Sequence, residues 1–136
     1  MSDSKEQPSL VDQLAEDAAP EEYPAGVPEL LPFLQIRPRS RRAEFKRRYA
    51  EVIDFQKKVS AKYKAVTGKA PLSEKMRMAA DLDDLYERID QTLEIAAADP
   101  KAYRKWSDEV DDENLLKTFN VYSVRSQPGE ASSSAS

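Results

Sequence analysis

Four carboxylates, Asp83, Glu87, Asp90 and Glu94, recur at spacings of four, three and four, which sets them on one face of a helix. The chemistry open to such a ladder is binding of a divalent cation through oxygen ligands. No loop turns these ligands inward, so they read as a surface stripe facing solvent. The stripe can complement Lys57, Lys58, Lys62 and Lys64 on the preceding helix, each exposed pair being worth about 0–1 kcal/mol. Thr67-Gly68-Lys69-Ala70 superficially suggests a phosphate loop. It fails because Tyr63 stands where the first glycine is required, and Ala70 where a hydroxyl must follow the lysine. The chain has no His and no Cys. The commonest general base and metal ligand are therefore missing, and disulfides and thiolate sites are impossible. With only three glycines and no serine in a nucleophile turn, the sequence points to a binding protein, not an enzyme, with no cofactor.

The densest charge is RPRSRRAEFKRR, residues 37–48, with seven basic residues in twelve. Cations at a helix N-terminus oppose the helix dipole, so stability alone does not explain them. Arg37, Arg39, Arg41, Arg42, Arg47 and Arg48 are candidates for contact with an anionic partner: a nucleic-acid backbone, an acidic protein surface or the chain's own acidic arm. A solvated helix start is the plain alternative. Overall acidity and the lack of a recognised nucleic-acid fold favour the protein reading. Trp106 and Tyr103, with Phe119 and Tyr122, form a second group near the C-terminal end. Aromatics at helical spacing are usually core, but in so polar a chain Trp106, Phe119 and Tyr122 are also candidate interface anchors.

These groups need helices to place them. Ser40 is a good N-cap, and the pattern is helical from there to Thr67, with Gly68 as the stop. The seam Phe45, Tyr49, Val52, Gln56, Val59, Tyr63, Val66 alternates spacings of four and three. After Pro71, Ser73 can cap a second helix reaching about Ala98, with the seam Met76, Ala79, Leu82, Tyr86, Ile89, Leu93, Ala96, widened by Leu85 and Ile95. Two helices of similar length joined by a short loop pack antiparallel. Val66 should then face Met76, Val59 face Leu82, and Gln56 fall near Tyr86. Asp99-Pro100 starts a third helix, and Asp111 or Asp112 caps a fourth that runs to about Val124. The fold expected is all-α: a long antiparallel helical hairpin, one or two short C-terminal helices, and disordered ends.

The ends differ from the middle in composition. Residues 1–32 form an acidic, proline-rich arm, mostly disordered, with a helical turn available where Leu10, Val11 and Leu14 share a face. Pro28 to Ile36 reads as an extended segment that docks on the helices, with room for one short strand. Residues 33–125 are the helical domain, and 126–136 a disordered Ser-rich tail. Net charge is −4 and strongly segregated: −7 over residues 1–36, +9 over 37–69 and −6 over 70–136. No apolar run approaches the roughly 18 residues that span a bilayer, and the polar MSDSKEQPSL start is unlike a secretory signal. No membrane partner is expected.

The chain closes on YSVRSQPGEASSSAS. A tail of that composition buries nothing. Its Gly129-Glu130 pair is encoded GGN-GAR, and with G in the wobble position that is a run on which a ribosome can slip backwards. A helical protein of this size, with a polar arm, a Leu-Pro-Phe plus Arg-Pro-Arg-Ser-Arg-Arg entry, central helices, a terminal aromatic helix and a Gln-Pro-Gly-Glu-Ala-Ser tail, resembles the upstream product of the tail assembly chaperone genes of long-tailed bacteriophages, particularly those of actinobacteria. The resemblance implies frameshifting at Gly129 and Glu130 in a minority of translation events. It implies tail-tube subunits and the tape measure protein as partners, and self-association or association with the longer frameshifted product. It places the protein in the host cytoplasm during assembly and not in the finished virion. A small basic-helix nucleic-acid-binding or regulatory protein, or a minor virion structural protein, are the competing readings.

Overall fold

The computed structural model describes residues 9–17 and 22–126. Five α-helices follow in order: α1 (Leu10–Asp17), α2 (Arg39–Lys62), α3 (Leu72–Ala96), α4 (Pro100–Glu109) and α5 (Asp112–Ser126), with a 3-10 turn at Phe33–Gln35 before α2. There is no β-strand among the described residues. A single antiparallel bridge joins Leu30 to Ala97.

The hairpin follows from the seams. α2 buries Phe45, Val52 and Val59, and α3 buries Leu85, Ile89, Leu93 and Ala96 against it. Fully burying each large side chain contributes roughly 1.5–3 kcal/mol. α5 closes the open side of this pair at the end away from the turn. Its Leu115, Leu116, Phe119 and Tyr122 join Ile36 and Phe45 in one core. Phe45 is the hub of an aromatic row, 6.0 Å from Phe33, 5.9 Å from Tyr49 and 5.7 Å edge-on to Tyr122. A second, smaller core lies at the turn, where Val11 of α1 covers Val59, Tyr63, Val66 and Met78.

Several local readings are corrected. Neither Ser40 nor Ser73 caps a helix. Pro38 and Pro71 hold the N-cap positions with no side-chain cap bond, and their carbonyls accept the first backbone N–H groups. α2 stops at Lys62, not Thr67, and Gly68 does not end it in a left-handed turn. Among the described residues Gly26 alone has positive φ, at 84°. The chain instead turns at Tyr63, whose hydroxyl donates to Asp81 at 2.6 Å. That bond, followed by the one from Lys62, holds the Asp81 carboxyl below the usual range. α3 buries Met78 rather than Met76 or Ala79, because α1 arrives from the other side; Val66 accordingly meets Met78. α3 ends at Ala96, two residues short of Ala98.

The described part of the arm, residues 9–17 and 22–32, is more ordered than its composition suggests. Residues 29–31 run alongside 96–98: Leu31 N–H donates to the Ala96 carbonyl at 2.7 Å and Ala98 N–H to that of Glu29 at 3.0 Å. Tyr23, Leu30 and Leu31 pack on the main core. The C-terminal helices start as read: the Asp99 carboxylate accepts from the N–H groups of Lys101 and Ala102, with Pro100 first in the helix, and the Asp111 carboxylate accepts from Asn114 N–H.

Candidate protein-binding surfaces

Most of the basic segment is turned onto the chain itself. Arg37 donates to the carbonyls of Leu34 (2.7 Å) and Ile36 (3.2 Å), and Arg42 donates to that of Ile36 (3.3 Å). Arg41 reaches the Ala97 carbonyl at 3.2 Å, across the bridge that holds the arm. Arg47 pairs with Glu44 and Glu51, and Arg48 with Glu44 and, across the hairpin, with Gln91. Arg39 and Lys46 are exposed and have no such partner among the described residues. The cluster opposing the α2 dipole thus acts locally, tying the arm and the 3-10 turn to the start of α2.

Of the aromatic anchors, Phe119 and Tyr122 are corrected. They are 1% and 0% exposed, part of the main core, and not a docking surface. Tyr103 is buried with them. Trp106 is half-buried, its ring 5.6 Å from that of Tyr103. Gly129 and Glu130 lie outside the described residues.

The carboxylate ladder divides. Asp83 and Glu87 are exposed, whereas Asp90 and Glu94 clasp α4. Arg104 donates to Asp90 at 2.9 Å and Glu94 at 2.7 Å. Tyr103 and Ser107 hydroxyls both donate to Asp90 Oδ1. Burial, then the Asp90 charge, pushes the Tyr103 phenol well above its ordinary pKa. The expected complementarity with four lysines is not found among the described residues: no carboxylate of the ladder pairs with them, Lys62 meeting Asp81 instead, at 3.2 Å, and Lys58 pairing within α2, with Asp54. Arg104 was not among the sequence candidates. It lies in the helix after its partners, and nothing local marks it. Among the described residues no group of three or more His, Asp or Glu could hold a metal ion.

What remains open is the outward face of α2. Lys46, Ala50, Ile53, Lys57, Ser60 and Lys64 repeat at spacings of four and three, a second seam one position over from the buried one. Two adjoining hollows follow it. One, of about 380 Å³, is lined by Lys46, Tyr49, Ala50, Ile53, Asp54 and Lys57. The other, of about 600 Å³, is lined by Ile53, Gln56, Lys57, Ser60, Ala61 and Lys64, with Asp12 of α1 at its edge. Apolar and small side chains, Tyr49, Ala50, Ile53 and Ala61, line the hollows together with lysines that have no ion-pair partner among the described residues, a combination suited to an amphipathic partner helix.

No protein-family model matches the chain, and no curated protein or solved structure matches it either. No described helix is long and apolar enough to cross a membrane.

Proposed function

We propose that this chain is a non-enzymatic, protein-binding helical module: a phage tail assembly chaperone in its unshifted form. It holds tail-tube subunits, meets the tape measure protein in the host cytoplasm, and is left out of the finished virion. The observation that carries the protein-binding part is the second α2 seam, with two open hollows along residues 46–64 that no described element fills. The phage assignment is supported by the order of features along the chain, from the Arg-Pro-Arg-Ser-Arg-Arg entry to the Gln-Pro-Gly-Glu-Ala-Ser tail. The internal bonding of Arg37, Arg41, Arg42, Arg47 and Arg48 leaves fewer free cations for a phosphate backbone, which favours protein over nucleic acid.

The test is to express the gene with its downstream sequence and with the tail-tube gene of the same genome. A soluble complex is expected, weakened at least tenfold by Ala50→Glu, at an exposed position lining one of the hollows, with the thermal midpoint of the free chain unchanged. Two products sharing the first 130 or so residues are expected by mass, the longer one lost on synonymous recoding of Gly129 and Glu130. Absence of both the complex and the longer product would remove the assignment. Tight DNA or RNA binding with a steep salt dependence would replace it with a nucleic-acid reading.

A further inference from the structure

The most exposed large apolar side chains of the described residues are not on α2 but on the first turns of α3. Leu72 is 72% exposed and Met76 62%. With exposed Ala79 and Asp83 they stand at i, i+4, i+7 and i+11, on one helical face. α5 meets α3 from about Leu82 onward: Leu82, Leu85 and Tyr86 line one hollow with Leu116, and Asp112 and Glu113 come close enough to act on the Tyr86 phenol. Among the described residues the turns of α3 before that point have no helix on this side, while α1 covers the opposite side at Met78. Single exposed apolar residues are ordinary on a protein surface. Two on one face, running into a fixed charge cluster, are a different matter.

The cluster is the second observation. Asp112 and Glu113 begin α5, just after Asp111, where the helix dipole favours them. Asp83 has no such reason to be there. It lies within α3, faces the start of α5, and has no ion-pair partner among the described residues. Burial, followed by the charges of Asp83 and Asp111, raises the Asp112 carboxyl above its usual range. Carboxylates are thus crowded, with no ion-pair partner among the described residues, at the end of an open apolar stripe.

We propose that the Leu72–Met76–Ala79 stripe docks an amphipathic basic helix of another protein. The apolar ridge of that helix lies on Leu72 and Met76, and a Lys or Arg side chain enters the Asp83–Asp112–Glu113 cluster about 10 Å further along. A second copy of this chain fits less well. The basic hollows it would offer, on α2, carry Asp12 and Asp54 among their lining residues, and these would meet the cluster with like charge. The surface is separate from the α2 hollows, and it stands whether or not the chain serves phage tails.

The experiment is an NMR titration of the full chain with an 18-residue peptide bearing Leu on one face and Lys on the other, against the same peptide with Glu for Lys. Shifts should gather at Leu72, Met76, Ala79, Asp83, Asp112 and Glu113. Kd should rise at least tenfold in Met76→Gln and in Asp83→Asn, and stay unchanged in Leu34→Gln, which alters an equally exposed apolar residue elsewhere. All three positions are exposed, so the variants keep the fold, which their spectra verify. Equal binding of the Glu peptide, shifts centred on other residues, or a dimer of the free chain that Met76→Gln dissolves would each overturn the proposal.

Discussion

Tyr122 donates its hydroxyl to the Leu31 carbonyl at 2.8 Å, joining residues 91 positions apart. The ring sits edge-on to Phe45, so one side chain links the last helix, the first long helix and the arm. Tyr122→Phe keeps the ring contacts and removes only the bond, leaving a buried carbonyl short of a donor. A loss of about 0.5–1.5 kcal/mol is expected, and Tyr122→Ala should lose about 3–5 kcal/mol. Urea unfolding of the two variants against the parent separates these terms. Faster amide exchange at Leu31 and Ala98 in Tyr122→Phe would show the arm loosening with the bond.

Asp90 is the acceptor on which α4 depends. Tyr103, Ser107 and Arg104 all donate to it, and Tyr103 is fully buried. Asp90→Ala leaves the buried Tyr103 hydroxyl with the residue-90 backbone carbonyl, at 3.2 Å, in place of the carboxylate, and Arg104 with Glu94, Asp108 and the Ser107 hydroxyl. The expected cost is about 1.5–3 kcal/mol, the range for hydrogen bonds to charged groups. Glu94→Ala removes a half-exposed partner of Arg104 and should cost less than about 1 kcal/mol. Equal losses in the two variants would show that the ion pair, and not the buried phenol, anchors α4.

Asp112 has a folded-state pKa raised by burial and then by Asp83 and Asp111. A raised value means that the folded chain holds this proton more tightly than the unfolded chain. The associated stability is present below the ordinary carboxylate pKa and is lost as pH rises through the raised one. At neutral pH the repulsion is fully expressed. Asp83→Asn should lower the Asp112 pKa and raise the thermal midpoint at pH 7, with little change at pH 3. An Asp112 pKa indifferent to Asp83→Asn, read from side-chain carboxyl shifts, would refute this.

The hairpin was legible because a four-three seam survives any choice of partner: Phe45, Val52 and Val59 face α3 whatever else packs nearby. What was illegible depended on third elements. Met76 and Ala79 fit the α3 pattern as well as Met78 does, and α1 decides between them by covering Met78. Phe119 and Tyr122 read first as core, with an interface as the alternative, and the arm and Phe45 close over them. Ser40 and Ser73 were sound caps by type, but the prolines before them already held the extended conformation of a cap. Arg37, Arg41 and Arg42 read as part of a binding site because their acceptors are backbone carbonyls, which leave no trace in a sequence.

Gln56 is the one polar residue in the buried seam of α2 between Val52 and Val59. It lies near Tyr86 as the register required: both line a hollow of about 30 Å³ with Val59, Leu82, Leu85 and Leu116. No hydrogen bond joins them among the described residues. Burial pushes the Tyr86 phenol up to about 12, with Asp112, Asp83 and Glu113 adding to it. A hollow of that size has room for about one water, but its walls are mostly apolar. Gln56→Leu therefore exchanges a half-buried amide for an apolar group of similar volume and should be neutral or stabilising, by up to about 1 kcal/mol. Val59→Asp is the opposite case. Val59 is 4% exposed and packed against Val11, Tyr63 and Met78, so the change places an unpaired charge at the contact of α1, α2 and α3. Several kcal/mol should be lost, enough to unfold a marginally stable chain. Urea midpoints for the two variants test both statements. A large loss from Gln56→Leu would mean that the amide holds a bridging water between Gln56 and Tyr86, and that the hollow is a polar joint, not a packing defect.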